Sequence, residues 1–340
     1  MPTFKNLRGL LIAPAMLLAG CNTVLLNPSG DIANQQGRLI VISTVLMLLI
    51  IIPVIFLVFY FAWRYRHGSE TAKKEYSPNW DHSVQLELAI WGAPLLIIIA
   101  LGAVTWISTH TLDPYRQLTR LDAKRPIPAD AQPINVEVVA LDWKWLFIYP
   151  DQGIALVNEL AAPVDVPIHF KITSSSVMNS FFIPALAGQI YAMPGMETKL
   201  HAVINQPGVF DGFSANYSGE GFSGMRFKFH GMSSADFGRW VERTKAGGAA
   251  LDRPTYLKLE QPSERDPVRR YGSVAPDLYQ AILNRCVDTS KMCMNQMMAI
   301  DAQGGMGKPG AHNTASKPWQ PDNNKSPMRT YVAAMCTPRD

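Results

Sequence analysis

The sequence is poor in charge and lacks the motifs of soluble enzymes. Only 17% of its 340 residues are charged, 48% are hydrophobic, and the formal net charge is +4. It contains no Gly-rich phosphate loop, no dinucleotide fingerprint and no grouping of a nucleophile with a base. Acidic residues interrupt the arginines of residues 253–270, so there is no basic stripe for nucleic acid. The chain therefore predicts neither catalysis on its own nor nucleic-acid binding.

Long apolar runs are absent from residues 108–340 and concentrated in residues 1–107. The first run, 10–20, follows Lys5 and Arg8, has the length of a signal-peptide hydrophobic region and is too short to span a bilayer. It ends in Leu-Ala-Gly-Cys, which resembles the bacterial lipobox. We predict a lipoprotein signal peptide over 1–20 and a diacylglyceryl group on Cys21. The alternative is a cysteine that follows an apolar run by chance.

Two further runs predict transmembrane helices. Residues 39–63 and 88–107 contain no charged side chain. At 1.5 Å rise per residue, each is long enough for about 30 Å of hydrocarbon. Residues 21–107 are therefore a lipid-anchored N-terminus and a two-helix membrane hairpin, which excludes a cytosolic soluble enzyme. The lack of a short repeat also excludes collagen and coiled coils.

The lipobox sets the topology more firmly than charge does. With Cys21 on the outer face, two spans return the chain to that face and leave residues 64–86 in the cytoplasm. Both sides carry basic residues, so the positive-inside rule does not decide. These are Arg64, Arg66, Lys73 and Lys74 on one side, and Arg116, Arg120, Lys124 and Arg125 on the other. We predict a bacterial inner-membrane protein with a large periplasmic domain.

Short β-like segments fill residues 134–232. Apolar and polar residues alternate at 135–139 and 166–173, and prolines and glycines separate the segments. Trp143, Trp145, Phe147 and Tyr149 share one strand face. The pattern predicts an antiparallel β-sandwich over 108–232.

Helices and a polar tail are predicted after the sandwich. Residues 233–236 form a helix N-cap, and a second helix is predicted over 276–286. Together they give a helical segment over 233–301. Residues 302–340 are rich in Gly, Pro, Asn, Ser and Lys. This composition predicts a tail that is either flexible or lies on a partner.

Four segments carry a specific resemblance to a known family. Residues 142–145, 177–184, 189–196 and 214–225 read DWKW, VMNSFFIP, QIYAMPGM and SANYSGEGFSGM. Together with the hairpin, they resemble subunit II of the haem-copper terminal oxidases, in the quinol-oxidising cytochrome bo-type branch. The resemblance covers about residues 15–285. It implies a membrane α-hairpin, then an all-β cupredoxin-like Greek-key sandwich, with short C-terminal helices.

The resemblance also implies that a copper centre has been lost. The cytochrome c-oxidising branch holds a binuclear copper centre (CuA) with a His in one strand and a Cys-x-Glu-x-Cys-x-x-x-His-x-x-Met loop. Electron-transfer copper needs thiolate, thioether and imidazole ligands. The matching positions here are Asn179, Ser214, Asn216, Ser218, Phe222 and Met225. We expect no metal in this chain, with Met225 either packing in the core or left as an inert remainder.

The family resemblance implies a non-catalytic, integral subunit of a proton-translocating ubiquinol:oxygen oxidoreductase of the respiratory chain. Its partners are a haem-copper subunit I, which holds the haems, the oxygen-site copper and the quinol site, and subunits III and IV. A cytochrome c oxidase subunit is nearly excluded by the ligand losses. The alternative from another class is a free membrane-anchored lipoprotein that acts in binding or assembly.

Two single-residue features have both a functional and a structural interpretation. Glu87 lies where the second span leaves the cytoplasm, and in this family a carboxylate there lies at a proton-input path. A helix-terminal Glu that is simply exposed explains it equally well. Trp143 and Trp145 fit a docking patch or, more readily, sandwich core.

Histidines, cysteines and methionines complete the candidates. His169, His201 and His230 are dispersed in strands and predicted to be structural. Cys286, Cys293 and Cys336 remain for disulfides in an oxidising compartment, and their pairing stays open. The methionines between 292 and 298 are soft ligands for Cu(I), or gap fillers on a packing surface.

Overall fold

The computed structural model describes residues 24–75 and 77–302. The predicted signal peptide, Cys21, Cys336 and nearly all of the predicted tail lie outside the described residues. The described chain divides at Asp288 into a large first unit and a short second unit.

Two long helices form the membrane hairpin. They are α1 (Asp31–Arg64) and α3 (Val84–Thr111), separated by the short helix α2 (Glu70–Lys74). Their most apolar windows have mean hydropathies of 3.1 and 2.3, enough to cross a membrane. The predicted spans 39–63 and 88–107 form their centres, and polar turns extend both helices. The helices pack against each other, and the side chains of their apolar windows stay open to lipid or to a partner.

Twelve strands within residues 134–274 form two sheets. A seven-stranded sheet has the order β11-β12-β3-β2-β1-β5-β8, and a five-stranded sheet has the order β4-β10-β9-β6-β7. The strands are β1 (Ile134–Leu141), β2 (Lys144–Tyr149), β3 (Ile154–Val157), β4 (Glu159–Pro163), β5 (Pro167–Ser174), β6 (Asn179–Phe182), β7 (Ile190–Ala192), β8 (Thr198–Val203), β9 (Gly208–Ser214), β10 (Arg226–Met232), β11 (Ala249–Leu251) and β12 (Arg269–Val274).

The predicted sandwich is present, but three of its strand pairs are parallel rather than antiparallel. β1 pairs with β5, β4 with β10 and β11 with β12 in parallel. The reason is topological, since the chain forms three strands after β1 before β5 returns beside it. The alternation of apolar and polar residues indicates which face each residue occupies, but it does not indicate the direction of the neighbouring strand. The two facing sheets form the cupredoxin-like sandwich.

Alternation along β2 separates two hydrophobic cores. Trp145, Phe147 and Tyr149 are fully buried in the core between the sheets. Leu146 and Ile148 point to the outer face of the seven-stranded sheet and join a second core. The strand therefore needs cover on both faces.

The segment after β10 contributes to both cores. It contains α4 (Ser234–Gly247), α5 (Arg253–Leu259) and α6 (Leu278–Leu283), together with β11 and β12. Phe237 and Trp240 of α4 pack into the core between the sheets, and the later elements cover the outer face. Tyr256, Leu278 and Tyr279 pack into the outer core. The predicted cap of α4 is present, since Ser233 Oγ accepts a hydrogen bond from Asp236 N. The predicted helical segment 233–301 thus also holds two short strands, whose pairing depends on β3 far away in the sequence.

The hairpin is tied to the sandwich at its outer helix ends. Asp31 is buried, and Arg120 donates to both of its carboxylate oxygens over 2.9 and 3.2 Å. Gly30 N donates to Ala185 O over 2.8 Å. A Cβ at Gly30 would lie 2.6 Å from the carbonyl oxygen of Leu186, so only glycine permits this close approach.

The segment after α3 reaches the same side of the sandwich. His201 N, on the edge strand β8, donates to Pro114 O over 3.3 Å, and α1 contacts β8 as well. Both outer helix ends therefore adjoin one sheet edge. A helix of 34 residues is about 50 Å long, which places the α1–α3 connection at the opposite end of the hairpin.

The second unit is described by residues 289–302. It contains one helix, α7 (Met294–Ala302), with no buried side chain.

Candidate functional site

Hydrogen bonds link Asn179, Ser214 and Asn216, three of the positions that the family resemblance matches to copper ligands. Asn179 on β6 and Ser214 at the end of β9 are buried, 1% and 4% exposed. Ser214 Oγ lies 3.1 Å from Asn179 Oδ1 and 3.2 Å from the carbonyl oxygen of Asn216. Asn179 Nδ2 donates to Val177 O over 3.1 Å. These polar groups satisfy one another within the protein.

Trp143 holds the loop that follows Ser214. Its Nε1 donates to the carbonyl oxygen of Ser218 over 3.0 Å. A Cβ added at Gly221 would lie 2.6 Å from the indole, so the ring lies directly on the loop backbone. Phe222, in the short 3-10 helix Glu220–Gly224, contacts the ring of Tyr217 edge-on at 5.6 Å. Trp143 is half-buried, unlike the fully buried Trp145, so its indole acts as a support for the loop.

Met225 belongs to the core between the sheets. It is 1% exposed and lies in the same apolar cluster as Phe181 and Phe227. Its backbone also closes the loop, because Met225 N donates to Phe222 O and Met225 O accepts from Ser214 N. Its position is that of a packing residue.

The donor set at these positions does not fit a binuclear copper centre. It offers amides, hydroxyls and one core thioether, whereas such a centre requires thiolate and imidazole ligands. Across residues 24–75 and 77–302, no three His, Cys, Asp or Glu side chains form a group that could hold a metal ion.

Glu87 has a partner that sequence reasoning missed. Its Oε1 lies 2.7 Å from Nδ1 of His82, and both side chains are about half exposed. Glu87 occupies the first turn of α3, where its backbone N donates to Ser83 O. In the sequence, the pair is indicated by a histidine one residue before Ser83, the N-cap of α3. The pair lies at the end of the hairpin away from the sandwich.

His169 and His201 lie side by side. They are paired across β5 and β8, with ring centroids 4.4 Å apart. Burial lowers the pKa of both imidazoles, and the neighbouring His169 adds to this effect at His201. His230 lies apart from them, with Nε2 3.6 Å from Glu159 Oε1. The sequence places these histidines in strands, but only the register reveals the pair.

Cys286 and Cys293 are both disulfide-bonded. Cys286 is buried, and its backbone N donates to Ala281 O over 2.9 Å. Cys293 directly precedes α7. Cys336 lies outside the described residues.

A buried lysine fastens the C-terminal segment to the sheet. The Lys144 side chain is 1% exposed, and its Nζ donates to Gln261 O over 2.8 Å and to Ser263 Oγ over 2.5 Å. Nζ also lies 3.7 Å from Oδ2 of Asp266, whose side chain is 3% exposed. Asp266 in turn accepts from Arg269. Sequence alone gave no sign that this lysine is buried.

Two family models match the periplasmic part of the chain. The model described as "Cytochrome C oxidase subunit II, periplasmic domain" matches residues 152–230. The model "COX Aromatic Rich Motif" matches residues 245–290, the segment that covers the outer face of the larger sheet.

Relatives match over most of the chain. Cytochrome bo(3) ubiquinol oxidase subunit 2 of Pseudomonas putida is 51% identical over 270 residues, 79% of this chain and 82% of the relative. Ubiquinol oxidase subunit 2 of Acetobacter aceti is 49% identical over 272 residues, 80% of this chain and 85% of the relative. The solved periplasmic domain of cytochrome oxidase subunit II of Bradyrhizobium japonicum is 24% identical, with a TM-score of 0.33; the match covers 35% of this chain and 97% of that domain.

The hairpin and the sandwich define a class: an inner-membrane subunit with a cupredoxin-like periplasmic domain. The identity of 49–51% over 82–85% of these two relatives identifies the particular family within this class. The chain belongs to the subunit 2 family of the cytochrome bo(3)-type ubiquinol oxidases, which are oxidoreductase complexes.

Proposed function

We propose that this chain is a non-catalytic, integral subunit of a proton-translocating ubiquinol:oxygen oxidoreductase and holds no copper centre of its own. The observation that carries the proposal is the buried Asn179–Ser214 hydrogen bond at two copper-ligand positions. Because these two side chains are hydrogen-bonded to each other, their oxygen atoms are not directed at a metal ion. Electrons from ubiquinol then enter through a haem-bearing partner subunit.

Bracing of the partner is supported by the two membrane helices. The side chains in the apolar windows of both helices are unburied. A hairpin is already a sufficient anchor, so this exposed surface is available to a membrane partner. The ion pair between Asp31 and Arg120 and the close approach at Gly30 couple the helices to the sandwich. Contact of the helices with a partner would thus orient the periplasmic domain.

Capping of the partner is supported by exposed apolar residues around the loop 214–225. They belong to the loop itself, to the segment just before β6, whose Met178 O accepts from Asn216, and to β7 or the turn after it, and they are 41–75% exposed. These residues are Val177, Met178, Tyr191, Met196 and Tyr217. We assign this surface to the outer face of subunit I, with subunits III and IV completing the complex.

Co-purification tests the proposal. The affinity-tagged chain, extracted from its own membranes in mild detergent, should bring down a haem-bearing subunit in equal amounts together with ubiquinol oxidase activity. Replacing Tyr217 and Met178 by Asp should reduce the haem recovered, while Lys258→Asp on the exposed face of α5 should leave it unchanged. A chain that emerges alone and without haem would instead support the free lipoprotein.

Two finer proposals concern the membrane region. Cys21 carries the lipid, so Cys21→Ser should abolish incorporation of radioactive palmitate.

Glu87 serves proton uptake together with His82, so Glu87→Gln should lower turnover of the whole complex and His82→Gln should lower it less. Unchanged turnover in Glu87→Gln would assign Glu87 to the exposed helix end only.

A further inference from the structure

Methionines are concentrated beside the disulfide-bonded Cys293. Four of the 15 methionines in the chain lie within residues 292–298. Met294, Met297 and Met298 belong to α7, with spacings of three and four residues. Side chains at these spacings are neighbours on one helix face, with Cβ atoms about 5–6 Å apart. The helix therefore presents three thioethers together, and Met292 lies just before its first turn.

These methionines are not core residues. None of the residues of α7 is buried, and Met298 is 63% exposed. Met225, by contrast, is 1% exposed in the sandwich core. A stripe of methionines that filled a core would be covered, whereas these thioethers remain accessible within the described chain.

The chemistry of the cluster selects one class of ligand. Thioether sulfur is a soft donor that favours Cu(I) over harder divalent ions. The unbranched methionine arm has three rotatable bonds, so neighbouring sulfurs can converge on one ion. The helix carries no histidine, and the sulfur of Cys293 is held in a disulfide. A site here would thus consist of thioethers alone.

We propose that Met294, Met297 and Met298, joined by Met292, bind one Cu(I) ion. The proposed site uses none of the residues of the loop 214–225. Cu(II), which prefers nitrogen and oxygen ligands, would bind there weakly. The proposal concerns this chain alone, so its test is independent of the test of the proposed subunit function.

A competition titration tests the proposal. The full-length chain in detergent, with its disulfide intact, is titrated anaerobically with Cu(I) against the chromophoric chelator bicinchoninate. We expect one Cu(I) per chain to be withdrawn from the chelator. The triple variant M294L/M297L/M298L should bind at least tenfold more weakly. Leucine keeps similar volume and helix propensity, so the fold should be retained.

A matched control shows which methionines bind the ion. The double variant M178L/M196L removes two exposed thioethers from the sandwich and should bind Cu(I) like the unmodified chain. Ag(I), a substitute for Cu(I) that air does not oxidise, should shift the NMR methyl signals of the methionines that the triple variant removes. Absence of Cu(I) binding, unchanged binding in the triple variant, or loss of binding in the double variant would each overturn the proposal.

Discussion

The buried pair of Lys144 and Asp266 allows a quantitative prediction. Both side chains are at most 3% exposed, and they join the seven-stranded sheet to the segment 261–269. Removal of one member of a buried ion pair costs about 3–5 kcal/mol, because the other charge stays buried without its partner. Asp266→Ala should therefore lower the free energy of unfolding by about that amount at pH 7.

The pH dependence of this loss has a definite sign. Burial already lowers the pKa of Lys144 in the folded chain, whereas the unfolded value is about 10.4. Loss of Asp266 removes an attraction that favours the charged amine, so the folded pKa falls further. Neutral lysine tolerates burial, so the deficit of Asp266→Ala should shrink as pH rises toward about 10.

Equilibrium urea unfolding of the full chain in detergent, followed by tryptophan fluorescence, measures this effect. Asp211→Ala is the matched control. Its partner Lys228 lies 2.5 Å away, but both side chains are more than half exposed, so the loss should stay below about 1 kcal/mol. Equal losses in the two variants, or a loss below about 0.5 kcal/mol in Asp266→Ala, would refute the argument.

Three further perturbations follow from single contacts and are measured by thermal unfolding. Gly30→Ala places a Cβ 2.6 Å from the carbonyl oxygen of Leu186, and the forced shift should cost about 1–3 kcal/mol; an unchanged Tm would contradict this. Tyr149→Phe removes a hydroxyl that bonds both N and O of Ala161, over 2.9 and 2.7 Å, at a cost of about 1–3 kcal/mol. Burial raises the pKa of Glu137 to about 7, so its stabilising contribution is complete below about pH 4.3 and is lost as pH rises through 7. Glu137→Gln should flatten this dependence, and an identical pH profile would contradict it.

Patterns within a single segment were predictable from the sequence. The charge-free runs gave the centres of α1 and α3, and alternation gave the two faces of β2. The polar ends of the helices were not predictable in the same way. Helix α1 begins at Asp31, whose partner Arg120 lies 89 residues away.

Features that depend on register or long-range pairing escaped sequence reasoning. The neighbouring imidazoles of His169 and His201 are brought together by the β5–β8 register. β11 has only three residues and becomes a strand through its pairing with β12. The burial of Lys144 requires acceptors from residues 261–266. Such contacts have no local signature.

The copper-ligand positions were identified by family resemblance, and the fold explains why the local sequence pattern could not identify them. Asn179 and Ser214 are 35 residues apart and meet only because β6 pairs with β9. Nothing in the local pattern of either residue indicates a shared site. The family match of two segments, 177–184 for Asn179 and 214–225 for Ser214, supplied the correspondence.

Copper content under oxidising conditions tests the central claim most directly. The full-length chain, carrying M294L/M297L/M298L so that the α7 thioethers cannot contribute, is exposed to Cu(II) and freed of unbound metal. Bound copper per chain and the visible spectrum are then measured. We predict no bound copper and no thiolate–copper absorption. Two coppers per chain that are lost on Ser218→Ala or Met225→Leu would contradict the account and place this chain with the copper-bearing branch.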